Sequence, residues 1–406
     1  MAQTARRSRP FRNFVVIELL ASFAEEALAV AIGWFVYQQT KSAFALGLIG
    51  LAGFLPAILL SLVTGLVADR YDRRLILLVC NLGLAAGALA LSVITIRPSL
   101  PLIYAVVLAM GVAKGFLGPA GKAILPSLLE EGDFTRALAI TSSIGEGAKL
   151  VAPAIGGVLY AIGAAVPFSV ASAAFAVAAL LAIGIGARRP GITENRPDLA
   201  VLVSGYRFIL NRPVVRGAMS LDLVAVLLGG VTALLPIYVD QVFHAGAWAL
   251  GVLRAAPAAG ALMAAGVLAL LPVRRFIGPK LLWSVAVYGL ATIGFGLSTQ
   301  LGVAFGFLGV LGASDTVSQV IRQALVQTNT PDDMRGRVSA VHEVVTGASN
   351  ELGEFESGMV AALVGAIAAI LLGGIAAITA ALAWNWLFPS IRNADRIEAE
   401  LTPASS

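Results

Sequence analysis

Long apolar runs separated by short polar turns make up most of the chain. The run from Ala43 to Ala68 carries no charged residue, and neither does the run from Leu75 to Ile96. The hydrocarbon core of a bilayer, about 30 Å thick, needs about 20 apolar residues for each helical crossing. We therefore predict that both runs cross a membrane as helices. The short charged segment between them, with Arg70, Arg73 and Arg74, is then a tight turn.

Twelve crossings of this kind can be placed along the sequence. Their predicted ranges are 13–39, 43–69, 74–96, 100–128, 135–163, 165–187, 213–242, 246–272, 279–299, 301–328, 336–364 and 366–390. One connection, 188–212, is much longer than the others and is rich in arginine. Within it, the segment 198–212 is predicted to form a short amphipathic helix on the membrane surface.

Composition agrees with an integral membrane protein. The 406 residues are 58% hydrophobic and only 13% charged, whereas a soluble domain carries about 25% charged residues. A β-barrel is disfavoured, because its strands are segments of about ten residues with alternating polarity. The apolar runs here are about twice as long and are apolar on every face, as expected for helices that cross a bilayer.

Lysine and arginine are distributed unevenly between alternate loops. The loops on one side contain only Lys41 and Arg97. The loops on the side of the N-terminus contain Arg6, Arg7, Arg9, Arg12, Arg70, Arg73, Arg74, Arg136, Arg188, Arg189, Arg196, Arg207, Arg212, Arg274, Arg275, Lys280, Arg335, Arg337, Arg392 and Arg396. Positive residues favour the cytoplasmic side. We therefore expect a multi-pass protein of the bacterial inner (plasma) membrane with both termini in the cytoplasm.

An internal repeat relates the two halves of the chain. Three matched pairs share an offset of 201 positions: Ala123 with Ala324, Arg136 with Arg337, and Gly157 with Gly358. Near the first helices the offset is 204, since Ala45-Leu46-Gly47 matches Ala249-Leu250-Gly251. Two parallel repeats of six helices are a known architecture of secondary transporters.

The repeat leads to a prediction of the domain organisation. The expected fold is all-α, with twelve transmembrane helices in two pseudo-symmetric six-helix bundles. The predicted parts are an N-terminal bundle at 1–187, a cytoplasmic linker at 188–212, a C-terminal bundle at 213–390 and a cytoplasmic tail at 391–406.

The turn after the second crossing carries a recognisable motif. Five residues, Gly65, Asp69, Arg70, Arg73 and Arg74, are spaced as in the pattern Gly-x-x-x-Asp-Arg-x-Gly-Arg-Arg/Lys. This pattern resembles the loop between the second and third helices of the major facilitator superfamily, although Asp72 stands where the family has glycine. The resemblance spans essentially the whole chain and implies the major facilitator fold. It also implies that these five residues form a cytoplasmic gate, which latches the two halves when the cavity faces outward.

Further segments resemble the exporters of that superfamily. Pro153, Gly156 and Gly157 in the fifth crossing are similar to an exporter element, Gly-Pro-x-x-Gly-Gly. The segments 116–120 and 350–358 are similar to the bacterial branch that includes multidrug and siderophore (enterobactin-type) exporters. The resemblance implies efflux by alternating access, with the first, fourth, seventh and tenth helices lining one central cavity.

Ionisable residues lie inside several of the crossings, although a charge at mid-bilayer costs about 2.5–3.5 kcal/mol on insertion scales. Such residues usually face the interior of a bundle or a wet cavity. The third, sixth, ninth and twelfth crossings carry none in their interiors. The candidates for a proton and substrate cavity are Glu25, Glu26, Lys114, Glu146, Lys149, Asp222, Arg254, Asp315, Glu351 and Glu354.

Two interpretations of these charges stay open. In the first, carboxylates bind and release protons as the cavity changes sides. Glu25 and Glu26 lead here, because adjacent acids have no local basic partner. In the second, opposite charges only neutralise one another, and for Lys114 and the Glu146/Lys149 pair the two interpretations weigh equally. Neutralisation is favoured for four groups near helix ends or on uncertain faces: Glu18, Lys122, Arg322 and Glu356.

The sequence therefore favours a secondary transporter that exports a small drug-like or siderophore-like molecule by proton-coupled antiport. One alternative is an importer, or a transporter of a specific metabolite or lipid. A less favoured alternative is a non-transporting sensor or a membrane enzyme. The intramembrane carboxylates hint at a cationic substrate, but the lysines and arginines would equally suit an anionic siderophore.

The expected partners are a small-molecule substrate, protons and the lipid bilayer, and the protein is expected to be a monomer. No cofactor is expected, because the sequence has no phosphate-binding Walker motif for ATP. No metal ligands at a recognisable spacing and no nucleophile with a histidine partner are seen, so we predict no metal site and no enzyme. The basic residues cluster in loops, which does not indicate nucleic-acid binding.

Overall fold

A computed structural model describes residues 9–129, 133–185, 199–227, 229–271 and 275–394, and these residues are helical with short connections. The α-helices are α1 (Arg9–Thr40), α2 (Ala43–Leu59), α3 (Ser61–Arg70), α4 (Arg73–Ile94), α5 (Leu100–Ile124), α6 (Phe134–Ile162), α7 (Val166–Ile183), α8 (Leu199–Asn211), α9 (Pro213–Leu227), α10 (Leu235–Gln241), α11 (Ala247–Leu270), α12 (Ile277–Gly296), α13 (Leu301–Thr328), α14 (Asp332–Val364), α15 (Ala366–Leu387) and α16 (Pro389–Arg392). Two 3₁₀ turns, Leu125–Leu128 and Val231–Leu234, follow α5 and precede α10.

Every predicted crossing coincides with a helix or an interrupted helix. Within the described residues, eight spans are long and apolar enough to cross a membrane. The other four predicted crossings correspond to α1, to α2 with α3, to α6 and to α14. Three of these four carry ionisable residues in their interiors, and α2 is short. The prediction of an all-α membrane fold is therefore confirmed.

Two crossings that were predicted to be continuous are interrupted. The second predicted crossing is interrupted at Leu60, between α2 and α3 and four residues after Pro56. The seventh breaks after α9, where Gly229 and Gly230 precede the 3₁₀ turn. Glycine weakens a helix because it has high conformational freedom when unfolded. The prediction of unbroken helices at these two places is wrong.

The chain divides into two compact units. The first comprises Met1–Pro197 and Val239–Ala255, and the second comprises Asp198–Tyr238 and Ala256–Ser406. A helix, α8, is present where the sequence predicts one, and its Ile209 belongs to a buried cluster of the second unit. The predicted bundle boundaries at 187 and 213 remain a prediction.

Packing inside the two units repeats at equivalent positions. In the first unit, a Cβ added to Gly111 of α5 would collide with the backbone carbonyl of Gly53 in α2. In the second, a Cβ on Gly312 of α13 would collide with the carbonyl of Pro257 in α11. These contacts are related by the offsets of 201 and 204 positions found in the sequence. Small residues let membrane helices approach closely, so the structure places this close approach at the same site in each repeat.

Candidate functional site: charged groups inside each unit

A buried ion pair lies in the second unit between α9 and α13. An Nη atom of Arg322 lies 2.7 Å from Oδ1 of Asp222, and the two side chains are only 4% and 3% exposed. Removing a charge from water is costly unless an opposite charge compensates for it. Arg322 and Asp222 therefore neutralise each other within the helical core.

Neighbouring groups extend this pair. Thr346 of α14 donates a hydrogen bond of 3.2 Å to the second carboxylate oxygen of Asp222. Arg322 also donates a hydrogen bond of 2.7 Å to the hydroxyl of Ser318. Asp315, one of the predicted cavity residues, lies 4.0 Å from the guanidinium, and its side chain is 46% exposed. The cluster thus has one enclosed acid and one acid at its open edge.

The first unit has an ion pair between α1 and α5. Nζ of Lys114 lies 3.1 Å from Oε2 of Glu25, and their side chains are 48% and 30% exposed. Glu25 thus has no basic partner nearby in the sequence, as expected, but it has one on another helix. Its partner is distant in sequence and is brought close only by helix packing. Glu26, the next residue, is half-buried on α1.

A different arrangement surrounds Glu18, about two turns nearer the start of α1. With the two repeat offsets, Glu18 is equivalent to Asp222, and Gly121 of α5 is equivalent to Arg322. The structure brings these first-unit residues together as well, since Oε1 of Glu18 lies 3.3 Å from the position of a Cβ on Gly121. Within the described residues, Glu18 forms no ion pair. The acid is thus present in both units, whereas glycine replaces the arginine in the first.

The sequence predicts that Glu18 is one of the neutralised groups, because it lies near a helix end or on an uncertain face. The internal repeat relates Glu18 to a residue of the buried ion pair in the second unit. Applying the offset of 204 to α1 pairs Glu18 with Asp222, and applying the offset of 201 to α5 pairs Gly121 with Arg322.

Four other predicted cavity residues are not part of these ion pairs. Glu146 and Lys149 pair with each other at 2.9 Å on one face of α6, and both side chains are exposed. Glu354 of α14 accepts a hydrogen bond of 2.8 Å from Thr232. Arg254 is half-buried on α11. The side chain of Glu351 lies outside the described part of the structure.

The exporter element of α6 forms a tight packing seam. A Cβ on Gly156 would lie 2.7 Å from the carbonyl oxygen of Ala27 in α1. A Cβ on Gly157 would collide with the carbonyl of Ala247, at the start of α11. A Cβ on Gly251 would likewise collide with the carbonyl of Pro153. Close approach of backbones at this seam requires the small residues that the element supplies.

The predicted cytoplasmic gate is in part a capping structure. Arg73 donates hydrogen bonds to the carbonyl of Ala68 at 3.1 Å and to the carbonyl of Ala123 at 2.8 Å, near the ends of α3 and α5. Asp72 caps the first turn of α4, since Oδ1 accepts a bond of 2.9 Å from the backbone N–H of Arg74. This explains why an aspartate serves where the superfamily has glycine.

The other members of the motif make fewer described contacts. Arg70 is exposed, and a Cβ on Gly65 would meet no atom within 4 Å. The side chain of Asp69 lies outside the described part of the structure. The role of this motif as a gate stays a prediction.

A polar cluster also lies at the end of α1, on the predicted outer side. Lys41 pairs with Asp240 at 2.8 Å, and the hydroxyl of Tyr37 donates to the same carboxylate oxygen at 3.1 Å. Nζ of Lys41 lies 4.8 Å from the centre of the Tyr37 ring. From the sequence, Lys41 indicates only topology, because Asp240 is about 200 positions away and their contact depends on helix packing. Both belong to the first compact unit.

Known proteins are similar in sequence to nearly the whole of this chain. A family model described as a transmembrane secretion effector, of the major facilitator type, matches residues 4–404. The enterobactin exporter EntS of Escherichia coli O1:K1 is 28% identical over 377 residues, which cover 90% of this chain and 85% of that protein. The EntS protein of Citrobacter koseri matches to the same extent.

Solved structures show the same fold at low sequence identity. The nucleoside transporter NupG aligns with a TM-score of 0.73 at 12% identity, covering 93% of this chain and 98% of its own. A bacterial homologue of the human lysosomal transporter Spinster, in an inward-facing and occupied conformation, aligns with a TM-score of 0.74 at 14% identity. That match covers 96% of this chain and 98% of the other.

Proposed function

Because the chain belongs to the transmembrane secretion effector family of the major facilitator superfamily, we propose that it exports a small organic molecule by proton-coupled antiport. It is a multi-pass membrane transporter of the exporter type, and its relatives and structural neighbours are transporters rather than enzymes. The proposed site of action is the bacterial inner membrane, with both termini in the cytoplasm, as the distribution of lysine and arginine indicates.

The proposed substrate is siderophore-like or drug-like. Relatives that share 28% identity over most of the chain are named as exporters of enterobactin. The partly exposed ion pair of Glu25 on α1 and Lys114 on α5 supplies charged groups of both signs for such a molecule in an apolar span. The surrounding residues are largely hydrophobic, as is usual for small-molecule sites.

The ion pair between Glu25 and Lys114 carries the proposal of proton coupling. Both groups lie within membrane helices and are partly exposed, so water can reach them. A proton bound by Glu25 would remove its charge and break its ion pair with Lys114. A negatively charged part of a substrate could then pair with Lys114, and release of the proton would restore the original pair. Binding of proton and substrate would be coupled in this way.

Transport in inverted membrane vesicles tests the proposal. In such vesicles an exporter moves substrate inward, and an acidic lumen supplies the driving force. We expect uptake of a catechol siderophore or a lipophilic dye that depends on the pH gradient. We also expect that Glu25→Gln abolishes the dependence on the gradient. Asp133→Asn, which removes one carboxylate at the start of α6, serves as the control.

Two results would count against the proposal. If Glu25→Gln and Glu26→Gln both leave gradient-driven uptake intact, proton coupling does not use these acids. If right-side-out vesicles accumulate the substrate and inverted vesicles do not, the protein is an importer.

A further inference from the structure

The contrast between the two repeats points to a site for a cation in the first unit. In the second unit, the carboxylate of Asp222 is neutralised by the guanidinium of Arg322 at 2.7 Å. In the first, the equivalent carboxylate of Glu18 faces Gly121, which has no side chain. Replacement of arginine by glycine at this position leaves Glu18 without the counter-ion that its repeat partner has.

The surroundings of Glu18 are those of an organic cation site. Gly121 is buried, and its neighbours Phe14, Ile17 and Ala120 belong to the hydrophobic core of the unit. The ring of Phe14 borders the same position, with Cζ 4.0 Å from a Cβ on Gly121. A carboxylate beside an aromatic ring is a pairing that recognises ammonium and guanidinium groups. An apolar wall strengthens the electrostatic attraction, because its effective dielectric constant is low.

Other charged groups on α1 and α5 do not serve as the counter-ion of Glu18. Lys114 of α5 is paired with Glu25, at 3.1 Å. Lys122 follows Gly121 on α5 and is exposed. On α6, Glu146 and Lys149 pair with each other.

We propose that Glu18, with Gly121 and Phe14, binds a guanidinium or ammonium group of the transported molecule, in the place that Arg322 takes in the second unit. This inference rests on the proposed export function and adds a substrate class to it, namely molecules with an apolar body and one organic cation. The second unit then contains its own cation, the guanidinium of Arg322, whereas the first unit binds a cationic group of the transported molecule.

Direct binding tests this proposal without requiring transport. The protein is reconstituted in lipid nanodiscs and titrated calorimetrically with octylguanidinium and with octylurea, which has a similar shape and no charge. Nanodiscs without protein correct for partitioning into lipid. A hydrogen bond to a charged group contributes about 1.5–3 kcal/mol, so Glu18→Gln should weaken octylguanidinium binding by about tenfold or more. Binding of octylurea should not change.

A second variant keeps the acid and supplies the missing cation. Gly121→Arg copies the pair of the second unit, and it should also abolish octylguanidinium binding. Asp133→Asn is the matched control and should bind like the unaltered protein. Size-exclusion profiles show whether each variant remains folded.

The proposal is overturned if Glu18→Gln binds octylguanidinium as tightly as the unaltered protein. It is also overturned if both probes are lost together, because that result indicates a packing defect rather than recognition of charge. Since the readout is binding, a failure of this site is distinguishable from a failure of gradient-driven export.

Discussion

The guanidinium of Arg322 and the carboxylate of Asp222 lie 2.7 Å apart, joining α13 to α9 in a region where both side chains are almost fully enclosed. Removing one partner leaves a buried charge without compensation, at a cost of about 3–5 kcal/mol. We therefore expect Asp222→Leu and Arg322→Met, made singly, to lower the thermal stability of the purified protein strongly. The double variant should recover much of that loss, since two apolar groups can replace a buried pair.

Thermal unfolding in detergent measures this effect. Glu146→Gln provides the comparison, because its ion pair with Lys149 is exposed and exposed pairs contribute about 0–1 kcal/mol. A loss of stability in the double variant equal to the sum of the two single losses would show that the pair is not coupled.

The exporter element of α6 allows a matched test on one helix. Gly157→Ala places a methyl group against the carbonyl of Ala247, and Gly156→Ala places one against Ala27. Overpacking costs about 1–3 kcal/mol, so both variants should lose stability and transport. Gly147→Ala, whose Cβ meets no atom within 4 Å, should be neutral or stabilising by up to about 1 kcal/mol, because alanine favours helices. If all three behave alike in thermal unfolding and vesicle uptake, the seam has no special packing requirement.

The arginines of the proposed gate should separate into two classes. Arg73 holds the carbonyls of Ala68 and Ala123, whereas Arg70 is exposed. Lysine cannot reproduce the forked geometry of a guanidinium. We expect Arg73→Lys to lower transport and stability, and Arg70→Lys to change neither. Vesicle uptake and unfolding temperature, measured side by side, give the comparison.

The acidic member of the gate needs its own experiment. If Asp69 latches the cytoplasmic ends, Asp69→Asn should reduce gradient-driven uptake at unchanged expression. If the motif serves only to fix topology, Asp69→Asn should transport normally, and the gate proposal would then be wrong.

The ion pair of Lys41 with Asp240 should affect accessibility more than stability. It holds the segment Val239–Ala255 to the end of α1, yet it is exposed enough to contribute only about 0–1 kcal/mol. In a Cys80→Ser background, we expect Asp240→Asn to speed the reaction of Ala245→Cys with a membrane-impermeant maleimide. Asp240→Glu should react at the original rate. Equal rates for Ala245→Cys alone, with Asp240→Asn and with Asp240→Glu would indicate that the ion pair does not restrain this segment.

The fold could be predicted from sequence because bilayer thickness alone relates apolar length to helix number. The site could not be predicted to the same extent. The partner of Glu25 is Lys114, on another helix, and the partner of Lys41 is Asp240, in the other half of the sequence. Such contacts depend on helix rotation and packing, which periodicity does not fix. The repeat offsets make Glu18 equivalent to Asp222 and Gly121 equivalent to Arg322, but the contact within each pair also depends on packing.

The break at Leu60 and the role of Asp72 show a second limit. Pro56 lies within an apolar run that still looks long enough to cross a bilayer, so length concealed the interruption. Asp72 departs from the family pattern, but its side chain replaces backbone flexibility with a helix cap. At Asp72 a local hydrogen-bond requirement, rather than hydrophobicity, decides the structure.

The boundary between the two compact units falls inside α11, between Ala255 and Ala256. Pro257 follows at once, and a proline in a helix cannot donate the hydrogen bond that the carbonyl of Leu253 would accept. The helix therefore lacks one backbone hydrogen bond at the point where the chain leaves one unit for the other. The carbonyl deprived of its helical donor belongs to Leu253, whose side chain is fully buried, so packing rather than backbone hydrogen bonding stabilises this turn of α11.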